Sequence, residues 1–271
     1  MSSAVSHKID DYESLLVALQ DVLGVVVPDE QRSHLVERVE PLLSAYKLDS
    51  LADLAKKLQD EESDARTDVL DVITQRQSSW TISSEIKNVL HNYILSQLAE
   101  NARIWVVGCG QGQLAYSIAM EIASFEQKTG KAMNFELVAT DLLSVDIKQA
   151  ERATYSSHQL MALNSEFKKL YVTMDSTAEN GQVKKTIRQS VHFSTCDLNS
   201  GIPDMGPMDL IICQEALVYF SNGVRAGIVE QFTKLLKSGG ILLSGHSQVV
   251  PVGEGLERVT HPEGIFYRQK S

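Results

Sequence analysis

Cysteine is scarce in this chain: three residues, Cys109, Cys196 and Cys213, among 271. Three scattered thiols exclude a disulfide framework and a cysteine-rich zinc site. Each falls at or just after the end of a predicted strand, so all three read as small buried thiols. Long apolar runs are missing too. None approaches the ~18 to 20 residues that span a bilayer, and the start, MSSAVSHKIDDYESLL, lacks the basic and apolar blocks of a signal peptide. A cytoplasmic location and no membrane insertion are expected. Positive charge is the third shortage. The chain holds 25 Lys and Arg against 35 Asp and Glu, and residues 1–100 account for nearly all of the excess, with nine basic and eighteen acidic side chains. Phosphate contacts need clustered Lys and Arg, so nucleic acid is not an expected partner. The acidity reads as a solvated helix surface.

What is present is organised around Arg103 to Phe125, RIWVVGCGQGQLAYSIAMEIASF. The apolar run from Ile104 to Val107 meets Gly108, Gly110 and Gly112 and passes into a helical pattern with Leu114, Ile118, Ile122 and Phe125 on one face. That is strand, glycine turn, helix. Glycines permit positive φ and close approach of a ligand to the main chain, and the following helix presents its free N–H groups to that ligand. A nucleotide-like cofactor is the first expectation.

Before this stretch the chain reads as helices. Leu15, Leu16, Leu19, Val22 and Leu23 recur at helical spacing, and Leu35, Val36, Val39, Leu42 and Leu43 follow Pro28. Ser50 with Asp53 resembles a capping box before a third helix. Ser83 or Ser84 caps a further helix with Ile86, Val89, Leu90 and Ile94 on its apolar side. From Arg103 onward strands alternate with helices, the signature of a mostly parallel sheet covered on both faces. Strands are expected at Phe135–Thr140, Val191–Ser194, Asp209–Cys213 and Ile241–Ser244, with a closing antiparallel pair Leu256–Val259 and Gly264–Arg268. Between Tyr155 and Ser190 a polar insertion interrupts the rhythm, and its Asn180-Gly181 is a two-residue hairpin signal.

Asp141 ends the second strand, where such sheets place an acid that accepts hydrogen bonds from ribose hydroxyls. The turn also fits the GxGxxA form of a dinucleotide fingerprint. However, Asp141 lies 29 residues after Gly112 rather than the usual ~20, and the sheet closes in an antiparallel hairpin, which together favour S-adenosylmethionine over NAD. Asp197-Leu198 after the next strand suits an adenine. Gln214 and Glu215 stand at the mouth of the strand ending in Cys213, where ligands gather, and Tyr219 lies just beyond.

The blocks VVGCGQGQLAYSIAM, LVATDLLSVDIKQAERATYS, CDLNS, MDLIICQEALVYF, LLKSGGILLSGHSQ and FYRQK, in this order, resemble the CheR family of chemoreceptor glutamate methyltransferases over nearly the whole chain. The resemblance implies an α/β fold: a class I S-adenosylmethionine-dependent methyltransferase domain at 101–271, mostly parallel with an antiparallel terminal strand, a helical domain at 1–100, and a small antiparallel β-subdomain at 156–189. It implies methyl transfer from S-adenosylmethionine, leaving S-adenosylhomocysteine, to glutamates on the cytoplasmic helices of methyl-accepting chemotaxis receptors, of flagellar or pilus type. By position Gly108, Gly110 and Gly112 would face the methionine part, Asp141 the ribose, Asp197 and Leu198 the adenine, and Tyr219 the methyl-transfer site.

Three motifs depart from the family's pattern. Its Asn-x-Thr-x-(Phe/Trp)-Phe-Arg run reads here from Arg76 to Ile82, with isoleucine for the arginine. Leu114 replaces the second acid of the glycine turn, and Gln214-Glu215 replaces an Arg-Asn pair. Isoleucine offers no planar pair of donors to a carboxylate. Arg76 is the candidate to supply that charge, and Glu215 the candidate to meet the cofactor's ammonium or ribose. Lys47, Lys56 and Lys57 are the candidates for a basic docking patch on an otherwise acidic region. Two readings stay open: an active protein-glutamate O-methyltransferase, and a CheR-like cofactor-binding or regulatory protein with impaired catalysis.

Overall fold

The computed structural model describes residues 2–27, 29–60, 63–73, 79–245 and 250–270, with side chains described from residue 10 onward except at 29–31. The chain forms two compact units, Met1–Arg76 with Val218–Arg225, and Gln77–Leu217 with Ala226–Ser271.

The first unit is helical: α1 (Ser2–Leu23), α2 (Asp29–Tyr46), α3 (Leu51–Lys57) and α4 (Ala65–Ile73). Heptad-like spacing brings Leu15 and Leu19 of α1, Leu35 and Val39 of α2, Leu54 of α3, and Val69 and Ile73 of α4 into its core. Val36, one position off that stripe, stays exposed. Ser50 caps α3: its Oγ accepts from the Asp53 amide at 3.1 Å and donates to the Asp53 carboxylate at 2.7 Å. Residues 218–225 join this unit through an antiparallel bridge between Val25 and Phe220, with the Val26 amide donating to the Tyr219 carbonyl at 2.7 Å.

The second unit begins with α5 (Ser84–Val89), which passes through a single π-type turn, Leu90–Ile94, into α6 (Leu95–Gln97). Ser83 is its N-cap, accepting from the Ile86 amide at 3.3 Å. There follow β1 (Ala102–Val107), α7 (Gln113–Thr129), β2 (Phe135–Asp141), α8 (Ser144–Arg152), β3 (Thr154–Ser156), α9 (Ser165–Tyr171), β4 (Val172–Met174), β5 (Asn180–Val183), α10 (Lys185–Arg188), β6 (Val191–Thr195), β7 (Met208–Cys213), α11 (Asn222–Leu235), β8 (Leu236–Ser244), β9 (Leu256–His261) and β10 (Gly264–Gln269). The large sheet has the order β6-β2-β1-β7-β8-β10-β9. All neighbours are parallel except β10, which runs antiparallel to both β8 and β9. This is the class I methyltransferase fold. β1 and β7 are buried along nearly their whole length, as interior strands of a sheet covered on both faces are.

The units divide at residue 77, so the helix after Ser83 groups with the sheet and not with the N-terminal helices, where a boundary at 100 would place it. Packing explains this. Ile86, Val89, Leu90, Ile94 and Leu95 enter the same core as α7 and β1. The buried Glu121 of α7 accepts from Lys87 Nζ at 2.8 Å and pairs with His91 Nε2, while Arg268 of β10 donates to the Tyr93 hydroxyl at 2.6 Å.

Two local expectations change. Asn180-Gly181 is not a turn. It opens β5, and the hairpin from β4 turns at 175–179, where Asp175 Oδ1 accepts from the Glu179 amide at 3.1 Å and Ala178 takes φ +59. Gly181 is there for closeness: a Cβ would stand 2.7 Å from Leu160 Cδ1, Met174 Sδ and Val172 Cγ1. The strand expected at Ile241 begins at Leu236, which pairs with Met208 ahead of a shift in the register of β7 on β8, and Gly239 within it takes φ +76.

Candidate active site

In the second unit β6, β2, β1 and β7 lie side by side and parallel, so their carboxyl ends open on one edge of the sheet. The glycine turn leaves β1, Asp141 ends β2, Asp197 and Leu198 follow β6, and Gln214 and Glu215 follow β7. Eight of the ten residues read as cofactor-binding or catalytic thus stand at four adjacent strand ends. Strand order reverses between β1 and β7, where ligands bind in open α/β sheets.

The turn is built as its glycines require. Gly108, Gly110 and Gly112 have φ of +68, +52 and +92, a region costly for residues with a Cβ. Two of them have a second duty. A Cβ on Gly108 would meet the Ala216 Cβ at 3.0 Å, so the turn passes close to the loop after β7. A Cβ on Gly112 would meet the Ala150 Cβ at 2.7 Å and Phe193 Cζ at 3.1 Å, so this glycine lets α7 pack against α8 and β6. Gly112 is the N-cap of α7 and offers no side chain to the first turn.

Asp141 is half-buried and clasps the turn: Oδ2 accepts from the Gly110 amide at 2.8 Å and Oδ1 from the Leu143 amide at 3.3 Å. These bonds orient the carboxylate at the end of β2. Asp197 accepts from the Asn199 amide at 2.9 Å and from the Ser200 hydroxyl at 2.5 Å, beside the buried Leu198. Gln214 acts on the main chain around it. Its Nε2 donates to the Thr81 carbonyl at 3.1 Å and its Oε1 accepts from the Ser83 amide at 3.2 Å. It pins the segment before α5 to the mouth of β7. Glu215 is exposed.

Tyr219 falls with Val218–Arg225 in the first unit, and Arg76 lies outside the described residues. Ile82 is half-buried against the core, and Leu114 is buried. Cys213 ends β7 fully buried, and burial pushes its thiol up to about 12; burial and the Asp197 charge raise Cys196 to about 11. Both thiols are held protonated near neutral pH.

The residues missed in the sequence surround Trp80. Its carbonyl accepts from Ser117 Oγ at 2.8 Å, and its ring meets Tyr155 edge-on, centroids 4.8 Å apart. Tyr155 in turn donates to the Gln111 carbonyl at 2.6 Å, and burial, then the neighbouring Tyr116 and Cys109, raise its pKa and keep it protonated. Trp80 Nε1 and Gln113 Oε1 are both buried without a hydrogen-bond partner, and an unmet buried polar group costs about 1–3 kcal/mol. Gln113 carried no signal in the sequence beyond its place after the turn.

S-adenosylmethionine fits this donor set. The left-handed glycine turn leaves main chain open to close approach, Asp141 sets a carboxylate at the end of β2 beside that turn, and the orphaned Gln113 Oε1 belongs to the first residue of α7.

Comparison with known proteins agrees. Residues 74–264 match the CheR methyltransferase, SAM binding domain. Over 99% of its length the chain is 27% identical to all of chemotaxis protein methyltransferase 1 of Vibrio cholerae. It is 27% identical to chemotaxis protein methyltransferase 1 of Pseudomonas aeruginosa, over 96% of this chain and 98% of that one. A chemotaxis protein methyltransferase of Borreliella burgdorferi is 22% identical over 92% of each. With its glycine turn, its strand-end acids and a family match spanning most of its length, the chain belongs to the CheR methyltransferases, and its cofactor is S-adenosylmethionine.

Proposed function

We propose that this protein methylates glutamate side chains on the cytoplasmic helices of methyl-accepting chemotaxis receptors. The observation that carries the reading is the set of cofactor-suited groups at four adjacent strand ends, in a chain that matches chemotaxis methyltransferases from end to end. The cofactor supplies an electrophilic methyl on a sulfonium. A glutamate carboxylate is ionised near neutral pH, so the site needs no strong base. It needs alignment, and alignment alone supplies up to ~7 to 11 kcal/mol of the barrier. In the transfer a carboxylate oxygen forms the bond to the methyl carbon, and the sulfur keeps the electron pair of the bond that breaks. Asp141 would hold the ribose, Asp197 and Leu198 the adenine side, and the glycine turn the methionine side. Tyr219 would line the path of the methyl, and Arg76 would place the substrate carboxylate.

Calorimetry with S-adenosylmethionine and S-adenosylhomocysteine, followed by labelled methyl transfer to purified receptor cytoplasmic fragments, tests this. The expected product is a base-labile methyl ester. Binding of the cofactor with no base-labile label in any receptor fragment would refute the assignment. It would favour the catalytically impaired binding protein, in line with the apolar Ile82 and Leu114.

A further inference from the structure

Two sets of hydrogen bonds hold the glycine turn. The first comes from β2: the Cys109 amide donates to the Thr140 carbonyl at 3.0 Å, and the Gly110 amide donates to Asp141 Oδ2 at 2.8 Å. The second comes from the small sheet β3-β5-β4. Tyr155, the middle residue of β3, donates its hydroxyl to the Gln111 carbonyl at 2.6 Å. Gln159, four residues further on, donates from Nε2 to Gln111 Oε1 at 3.4 Å, while its own Oε1 accepts from the Ser156 amide at 2.9 Å. Gln111 lies between Gly110 and Gly112, so the small sheet grips the turn at its middle. Tyr155 itself is fixed. Its side chain is 1% exposed, its ring meets Trp80 edge-on, and its backbone stands opposite Gly181, which Leu160, Met174 and Val172 approach too closely for a Cβ. A turn that shifts must therefore break the Tyr155 bond or carry β3 with it.

Glycines at 110 and 112 give an unanchored turn wide conformational freedom. A cofactor that binds against its main chain needs one conformation, and every anchor that sets this conformation beforehand lowers the ordering cost of binding. Coupling of this kind is reciprocal, so a ligand that fixes the turn steadies β3 by the same free energy. We infer that Tyr155 is a positioning residue for S-adenosylmethionine, acting through the Gln111 carbonyl, and that this bond links cofactor occupancy to the order of the small sheet. Tyr155 need not touch the cofactor to do so. The inference rests on the cofactor alone and holds whatever the methyl acceptor is.

The test compares two variants of the full chain. Tyr155→Phe removes the hydroxyl and keeps the ring against Trp80. Tyr116→Phe is the matched control, because that hydroxyl belongs to a side chain that is also 1% exposed and donates to a carbonyl at 2.8 Å, but the carbonyl is that of Ala150 in α8. In calorimetry with S-adenosylhomocysteine, Tyr155→Phe is expected to bind about fivefold more weakly or worse, and Tyr116→Phe to bind as wild type does. Amide exchange supplies the reciprocal measurement. In the wild-type chain, saturating S-adenosylhomocysteine should slow exchange at Ser157 and Val183, whose amides donate to the Glu179 and Ala153 carbonyls at 2.7 and 2.9 Å, and the slowing should shrink in Tyr155→Phe. Wild-type affinity in Tyr155→Phe would overturn the proposal. Equal losses in the two variants would overturn it as well, showing that any buried tyrosine bond in this core does as much. Exchange at Ser157 and Val183 that ignores the ligand in the wild-type chain would refute the linkage even if Tyr155→Phe failed to fold.

Discussion

Replacing Gly112 with alanine isolates what the glycine turn does for the fold. Two costs are set by the structure. The backbone at 112 has φ +92 and ψ −4, a left-handed conformation that costs a residue with a Cβ about 1–2 kcal/mol. The new Cβ would also stand 2.7 Å from the Ala150 Cβ and 3.1 Å from both the Ala150 Cα and Phe193 Cζ. Two of those three atoms belong to α8 at its closest approach, so a helix must move, and overpacking of this kind costs about 1–3 kcal/mol. The expected loss is about 2–5 kcal/mol, a large part of the ~5–15 kcal/mol typical of a folded protein. Gly130→Ala is the control: φ there is +68, yet nothing lies within 4 Å of the added Cβ, so it should lose only the conformational part, about 1–2 kcal/mol. Urea unfolding followed by tryptophan fluorescence is the assay, because the two tryptophans, Trp80 and Trp105, both lie in the second unit. Equal shifts of the midpoint in the two variants, at unchanged slope, would refute the packing role assigned to Gly112.

Two further outcomes follow from buried contacts. Glu121 is disfavoured as an anion by burial, but the hydrogen bonds from His91 and Lys87 outweigh this and hold its carboxyl below the usual 4.5. Its folded pKa being lower than its unfolded one, its contribution is complete above pH 4.5 and disappears as pH falls through the folded value. Glu121→Gln should therefore cost about 2 kcal/mol near neutrality, with the gap to wild type closing on acidification below the ordinary glutamate range; a gap that widens there would contradict the pairing. Gly181→Ala drives a Cβ into Leu160, Met174 and Val172 and should weaken the small β3-β5-β4 sheet by about 1–3 kcal/mol. Faster amide exchange in β4 and β5, with β1 and β7 unchanged, is the expected reading, and uniform protection would disprove the close approach.

The readable parts of the chain were those whose cause is local. A buried run followed by glycines at 108, 110 and 112 forces a strand, a left-handed turn and a helix within a few residues, and the structure has all three. Ser50 and Ser83 cap their helices because the amides they satisfy lie three residues away. Asp141 could be found because a strand of known period ends on it. Asn180-Gly181 was misleading because glycine serves two purposes, and only the neighbours Leu160, Met174 and Val172 show that here it makes room and does not turn the chain.

Sequence alone therefore determined the fold class, since periodicity, caps and turn glycines act over one or two turns of chain, and the resemblance of its blocks to the CheR family implied the cofactor. Tertiary structure decided who does what at those ends. Gln214 reaches back across 131 positions to hold the segment at Thr81 and Ser83, a use of its amide invisible in its own neighbourhood. Trp80 Nε1 and Gln113 Oε1 stand without a partner only because folding buries them. Whether a polar atom finds a partner depends on every segment packed around it, and no local pattern records that.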